Sequence, residues 1–415
     1  MRQEHISRFL GIPGHSVAGI YFLDANGRAA RTDRVVERVV IALGRVGKGF
    51  RCSCGRQFER YYDCREQSVR DLPWGPWSHV ELLVPRFRVA CPDCGVKTEP
   101  LAWIEVKDRH TRRLAEAVAL ACREVRSVKA IAEAFHLGWD LVKEIDQAAL
   151  QRRLNPPDFA GLRHLALDEF AVRRGHTYGT IFLDLGRHRV LWVCATREKQ
   201  AVKGVFDKVF GAEVCARIAA VSMDWWGGYE AAVAECLPQA KIVWDLFHVV
   251  KKYNHEVLNR VRLDESLRYQ DRRERLAFKK TKFLLVKNRR HLRPNELARL
   301  RELLRVNHRL FVAYLLRDGL KRLWAYRYPE WARRWFHSWY RRAIGSRIGP
   351  LKRFARALKE RLDGILAHCR HPINSGVLEG IINKVKVIKR IAYGYRDNAY
   401  FFLKIRAHFT GVTPL

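Results

Sequence analysis

Three apolar runs in the middle of the chain each end in an acid. His164-Leu165-Ala166-Leu167 leads into Asp168, Ile218 to Met223 leads into Asp224, and Lys241-Ile242-Val243-Trp244 leads into Asp245. Short apolar runs bounded by polar residues read as strands of a buried sheet, so these acids are expected on its rim. Carboxylates set side by side repel one another unless cations bind between them. Two divalent ions about 4 Å apart would clamp the attacking and leaving oxygens of an in-line phosphoryl displacement. Hard ions such as Mg2+ or Mn2+ suit such oxygens.

The elements that must position these acids follow from the pattern around them. A strand over His164–Glu169, a turn at Arg173–His176 and strands over Tyr178–Asp184 and Val190–Cys194 come first. A helix from about Gln200 to Phe210, a strand over Ile218–Asp224, a helix over Tyr229–Cys236 and a strand over Lys241–Trp244 complete the run. The order β-β-β-α-β-α-β-α is that of a ribonuclease-H-like core. There the first and fourth strands are parallel neighbours, which sets Asp168 beside Asp224. Asp184, at the far end of an antiparallel second strand, reads as a turn residue. Glu169 is expected on the opposite face, because side chains alternate along a strand. Asp245 reads as a supporting acid or a helix cap.

A third carboxylate should come from a later helix. His371-Pro372-Ile373-Asn374-Ser375 opens one, and Glu379, Asn383, Lys386 and Arg390 share a face by their four, three and four spacing. One acid, one amide and two cations suit a metal and the phosphates beside it. A solvated helix face has the same spacing.

Upstream, Cys52-Ser53-Cys54-Gly55 and Cys91-Pro92-Asp93-Cys94-Gly95 resemble two metal-binding knuckles, with strands over Val80–Val84 and Phe87–Ala90 between them. Four thiolates, Cys52, Cys54, Cys91 and Cys94, would bind one structural Zn2+ as a zinc ribbon. The first knuckle is one residue short, and Cys64 is an alternative to Cys52; five free or buried thiols are the other reading. Next come helices over Thr111–Leu120 and Ser127–Phe135, a turn at His136-Leu137-Gly138 and a helix from Trp139, with Ser127 as an N-cap. This is a helix-turn-helix pattern whose third helix, with Lys143, would enter a DNA major groove; a three-helix module packed on a neighbour is the alternative.

Residues 254–370 are too long for a loop and carry helical patterns, which predicts an all-helical insertion. Trp331, Trp335 and Trp339 recur every four residues and read as its core; an aromatic and cationic surface for distorted bases is the alternative. Lys279, Lys280 and Lys282, with Arg289 and Arg290, are candidates for phosphate contacts.

Composition agrees with a polyanion partner. Lys and Arg number 78 against 43 Asp and Glu, a formal net charge of +35. Such a surplus favours many phosphate contacts and salt-dependent binding; a ribosome-associated protein or a merely soluble basic surface is the rival. No stretch has the length of an apolar membrane span and no signal-peptide pattern opens the chain, so a cytoplasmic location with reduced cysteines is expected. The whole reads as a multidomain α+β protein. It comprises residues 1–106 with the zinc ribbon, 107–155 with the helix-turn-helix, 156–253 as the first part of the ribonuclease-H-like core, 254–370 as the helical insertion, and 371–415 as the last part of the core with the Glu379 helix.

Several runs resemble the ISL-three family of bacterial insertion-sequence transposases. They are Leu167-Asp168-Glu169-Phe170, Tyr178-Gly179-Thr180, Trp244-Asp245-Leu246-Phe247-His248-Val249, Ser375 to Arg390, and Lys389-Arg390-Ile391-Ala392-Tyr393-Gly394-Tyr395. The resemblance implies a transposase of the DDE type with Asp168, Asp224 and Glu379 as its triad. It also implies two Mg2+ or Mn2+ ions, binding of terminal inverted repeats and target DNA, a homodimer holding two ends, and a nucleoid-associated bacterial protein. Two rivals use the same residues: a ribonuclease-H-like nuclease that only hydrolyses, and a catalytically silent zinc-ribbon DNA-binding protein.

Overall fold

The computed structural model describes residues 3–30, 36–104, 108–124, 127–173, 177–373 and 375–409. They fall into two compact units, Met1–Leu154 with Ile388–Tyr395, and Asn155–Val387 with Arg396–Leu415.

The first unit opens with α1 (Gln3–Leu10), then β1 (His15–Leu23), β2 (Arg38–Arg45), β3 (Phe50–Arg51), β4 (Gln57–Phe58), β5 (Asp63–Asp71), β6 (His79–Cys91) and β7 (Gly95–Thr98). A sheet in the order β1-β2-β6-β5 carries β7 on β6, while β3 and β4 pair separately. Alternation turns Val39, Ile41, Val80, Leu82 and Val84 into one core with Val69. The two strands expected around Pro85 are one. At Pro85 the ladder to β2 has ended, at Leu83, and the ladder to β7 begins only at Arg88, so the residue faces a neighbouring strand on one side. A proline without an N–H is tolerated there.

Three helices follow, α2 (Arg112–Ala121), α3 (Val128–Phe135) and α4 (Trp139–Arg153). Thr111 and Ser127 cap the first two, accepting from the Leu114 and Ala130 N–H groups. The turn between α3 and α4 reverses at His136, which takes the left-handed conformation with φ +49°. Gly138, the residue sequence pattern would choose for that role, has φ −64° and serves as the N-cap of α4. Leu114, Val118, Ile131, Val142 and Ile145 form the core of the three helices. Asp71, buried at the end of β5, ties sheet to helices by accepting from Thr111 Oγ1 at 2.7 Å and from the Arg113 guanidinium.

The second unit is built on β8 (His164–Arg173), β9 (Thr177–Asp184), β10 (Arg189–Cys194), β11 (Ala220–Met223) and β12 (Lys241–Trp244). Their order is β10-β9-β8-β11-β12, with β8 parallel to β11 and β11 parallel to β12. The apolar runs are buried on both faces, as central strands require. Gly179 is needed where it stands: a Cβ would lie 2.8 Å from both the Phe170 ring and the Cys194 carbonyl oxygen. Asp184 is the turn residue expected, accepting from the Gly186 and Arg187 N–H groups. Between β10 and β11 run α5 (Lys199–Val205), a π-turn at Phe206–Phe210 and α6 (Gly211–Arg217). The helical segment thus extends seven residues beyond the expected end at Phe210. Then come α7 (Gly227–Cys236) and, after β12, α8 (Leu246–Tyr253).

Helices α9 (Asn259–Ser266), α10 (Arg272–Lys279), α11 (Lys282–Val286), α12 (Pro294–Val306), α13 (His308–Lys321), α14 (Pro329–Gly345), α15 (Gly349–Glu360) and α16 (Leu362–Leu366) fill the stretch before the last two, α17 (Ser375–Ile391) and α18 (Asn398–Phe409). Their apolar side chains form one continuous core with the sheet. The tryptophan stripe of α14 divides between the two readings. Trp339 is buried and donates to the Leu316 carbonyl at 2.8 Å, Trp335 is half-buried and donates to that of Gly319, and Trp331 is exposed beneath Arg334. A spacing of four advances about 40° further round a helix at each step, so the three rings spread from the core side to the open edge of the stripe. Among the described residues no helix is long and apolar enough to cross a membrane.

Candidate active site

Register brings the acids together. Ala166 stands opposite Ser222, and Met223 opposite Trp244. Carrying the same register past the last paired residues sets Asp168, Asp224 and Asp245 level on one rim of three adjacent strands. Asp168 does not end its strand, as expected from the run of apolar residues; β8 continues to Arg173 as a hairpin with β9. It stands just beyond the parallel ladder to β11, whose last pair on β8 is Ala166. That position opens the rim.

Burial dominates the electrostatics. Asp168 is 7 % exposed, and loss of hydration pushes its carboxyl up to about 7, with Asp224, Asp245 and Glu169 adding repulsion. The Glu169 N–H donates to its Oδ1 at 2.7 Å and opposes this shift. Burial likewise pushes Asp224 up to about 6; Glu169 adds to this, while Arg197, Lys251 and Lys252 oppose it. Among the described residues, Asp224 Oδ1 is buried with no hydrogen-bond partner. A buried carboxylate oxygen left without a donor, beside a second acid that resists ionisation, is a donor set suited to a hard divalent cation.

Asp245 fills the expected role of helix cap. It caps α8 by accepting from the Phe247 N–H at 2.8 Å, and it faces His248. His248 lies between two acids, with Nδ1 3.5 Å from Asp245 and Nε2 3.9 Å from Asp168, and burial lowers its pKa. Glu169 follows Asp168 in the unbroken ladder to β9, opposite Thr180 where Asp168 is opposite Ile181, so the two side chains alternate as expected. Its charge acts on Asp224 and on Asp168, and its carboxylate is paired with Arg197.

Glu379 lies on the open face of α17, opposite the buried Leu378, Ile381, Ile382 and Val385. Asn383, Lys386 and Arg390 are exposed with it, and Lys386 Nζ donates to Asn383 Oδ1 at 3.2 Å. Among the described residues, only four cysteines bring their ligand atoms all within 4.8 Å of one another; the rim acids and Glu379 do not form such a group. Those four are Cys52, Cys54, Cys91 and Cys94, and Cys64 is not one of them. The Cys54 and Cys91 sulfurs are 3.7 Å apart, which matches the edge of a tetrahedron with Zn–S bonds of about 2.3 Å. The backbone N–H of Cys54 leads in holding the Cys52 thiol low, at about 7. The donor set fits a structural zinc ion. Lys279, Lys280, Lys282, Arg289 and Arg290 are all exposed, whereas Lys143 is half-buried with its ammonium 5.8 Å from the Trp139 ring.

Comparison with known proteins follows this geometry. A transposase family model matches residues 165–405 and spans the rim acids and Glu379. The chain belongs to the ISL3 transposase family. The helix-turn-helix domain of the same family matches residues 99–150, over the three capped helices. The chain is 44 % identical over 360 residues to the transposase for insertion sequence element IS1001 of Bordetella parapertussis, covering 86 % of this chain and 88 % of that one. It is 28 % identical over 407 residues to the transposase for insertion sequence element IS1557 of Mycobacterium tuberculosis, covering 90 % and 87 %. In this ISL3 transposase the sequence reading missed His248 and Arg197. A signal existed for the first: Asp245 and His248, three apart at a helix start, fall on one face. Nothing local marks Arg197, which reaches Glu169 only through the fold.

Proposed function

We propose that this transposase cuts and rejoins DNA strands at the ends of an insertion sequence, with Asp168, Asp224 and Glu379 as its metal-holding carboxylates. The observation that carries the reading is the pairing of two proton-retaining acids, Asp168 buried and Asp224 half-buried, at matched register on adjacent parallel strands. The strand order and directions support a ribonuclease-H-like core, residues 156–253 and 371–415, with 254–370 as its helical insertion.

Two Mg2+ or Mn2+ ions, when bound, supply charge neutralisation and an activated oxygen nucleophile at the scissile phosphate. Asp168 and Asp224 hold that site from the sheet rim. Asp245 and His248 fix the Asp168 side. Glu379 approaches from α17, and Asn383, Lys386 and Arg390 on its face grip the phosphates alongside. Lys279, Lys280, Lys282, Arg289 and Arg290 extend the phosphate track. The helix-turn-helix with Lys143, and the zinc ribbon at residues 1–106, read the terminal inverted repeats; a homodimer holds two ends together. The net charge of +35 supports this polyanion partner.

The test uses a labelled duplex carrying the DNA that flanks the coding segment, with Mg2+ or Mn2+ and the full chain. Metal-dependent nicking at the element's end, absent in Asp224→Asn, is expected, followed by joined product when target DNA is added. Cleavage without joining would reassign the protein as a nuclease. Binding with no cleavage by either protein would remove the catalytic reading.

A further inference from the structure

The two residues after Asp224 are tryptophans with opposite fates. Trp225 turns inward, its ring 6.3 Å from that of Trp244 and 5.9 Å from that of Phe354. Trp226 turns outward and leaves 39 % of its surface open. Its indole is nevertheless fixed from behind. The Arg197 guanidinium lies 4.0 Å from its ring centroid and 4.5 Å from that of Tyr178, and Arg197 is itself paired with Glu169. The Trp226 N–H donates to the Asp224 carbonyl at 2.9 Å, and its own carbonyl accepts from Tyr229. A Cβ on Gly228 would stand 2.8 Å from Trp226 Nε1, so glycine is what lets the ring lie there.

A large aromatic ring held rigid yet open contributes little to a core. What it offers is a flat face next to a cation, two residues from a rim carboxylate. The ligand that matches a π-face, positive charge and a phosphodiester site together is a nucleotide whose base is unstacked. We infer that Trp226, braced by Arg197, is a stacking platform for an unpaired nucleobase bordering the phosphodiester served by Asp224. The inference rests on the reading of the rim acids as a phosphodiester site. That reading also creates the need: Asp168 is buried and Asp224 half-buried, so a phosphate of a regular duplex reaches them only if the strand is distorted and a base leaves its stack. Stacking on tryptophan replaces the lost neighbour without selecting a sequence.

The test uses the full chain and a forked duplex from the flanking DNA with 2-aminopurine at the first unpaired position. Its fluorescence should be quenched on binding, released in Trp226→Ala and quenched again in Trp226→Phe. Cleavage of the same fork should slow roughly tenfold in Trp226→Ala, and this difference should vanish when the position is made abasic. Quenching that is unchanged in Trp226→Ala, or an equal slowing on abasic DNA, overturns the platform. If it falls while Asp224→Asn still abolishes cleavage, the rim acids keep their role. Loss of the Asp224 dependence instead removes the reading beneath it, which the fluorescence alone would not reveal.

Discussion

Replacing Asp168 by Asn should make the metal-free protein more stable while destroying its activity. The carboxyl ordinarily titrates near 3.8 and is pushed to about 7. Between those values the folded chain holds the proton more tightly than the unfolded chain, so stability falls as pH rises through this window and stays low above it. Keeping the group charged above about pH 7 therefore withdraws on the order of 4 kcal/mol from the fold. Asparagine preserves the shape and can still accept the Glu169 N–H, but it carries no charge to bury. The assay is thermal unfolding after dialysis free of Mg2+ and Mn2+, without a chelator that would strip the cysteine site. At about pH 8 the second unit of Asp168→Asn should melt roughly 10 °C above the parent, and at about pH 4 the two should coincide. Adding Mn2+ should raise the parent's transition at about pH 8 far more than at about pH 5, because protons compete for the carboxylates, and should leave the variant unmoved. Equal or lower stability of Asp168→Asn at the higher pH would refute the argument that a buried, uncompensated charge is stored at this rim.

Cys91→Ser should release the zinc, read as a fall from one equivalent per chain by metal analysis, whereas Cys64→Ser should retain it. Asp71→Ala should destabilise the first unit by about 3 kcal/mol, near the low end for a broken buried pair because Arg113 is a third exposed, and a second change of Arg113 to Met should recover part of this in denaturant melts. Ser127→Ala should lower the stability of the helix-turn-helix by about 1 kcal/mol in the same measurement. Lys279→Ala and Lys282→Ala should each lower the slope of log affinity against log salt by about 1 for any duplex, without changing sequence preference.

The second unit was legible because its strands are short apolar runs closed by acids or turn residues, and the same runs are buried in the sheet. Parallel pairing then followed from the order of strands and helices. The first unit was legible only in pieces. The Val80–Val84 pattern is regular, but its parallel partner β2 lies some forty residues earlier, and no local rule links Val39–Ala42 to Val80–Leu83. The cysteines were readable through spacing alone even though the first knuckle is short, because the β3–β4 pair and the end of β6 supply the approach that the spacing lacks. The left-handed turn at His136 ran against residue preference. Glycine is the usual occupant of that conformation, yet here the helix end is closed by His136 and Leu137 N–H groups donating to Glu133 and Ala132.

The third carboxylate marks where local rules stop. Spacing on α17 places Glu379, Asn383, Lys386 and Arg390 on one face, and that face is open. Packing settles which side of the helix is buried, since Leu378, Ile381, Ile382 and Val385 must leave water. It gives Glu379 no reason to approach Asp168 and Asp224. Two carboxylates that already resist ionisation repel a third, and only cations between them reverse the sign. On the proposed reading, the approach of Glu379 is therefore governed by metal and by bound phosphates. The helix that carries it, Ser375–Ile391, also runs across the boundary between the two units after Val387. Glu379→Gln should accordingly leave the metal-free melting temperature unchanged while weakening Mn2+ binding and abolishing cleavage, in contrast to Asp168→Asn, which should raise it. A metal-free stability change in Glu379→Gln as large as that in Asp168→Asn would mean that the three acids are already coupled by the fold alone.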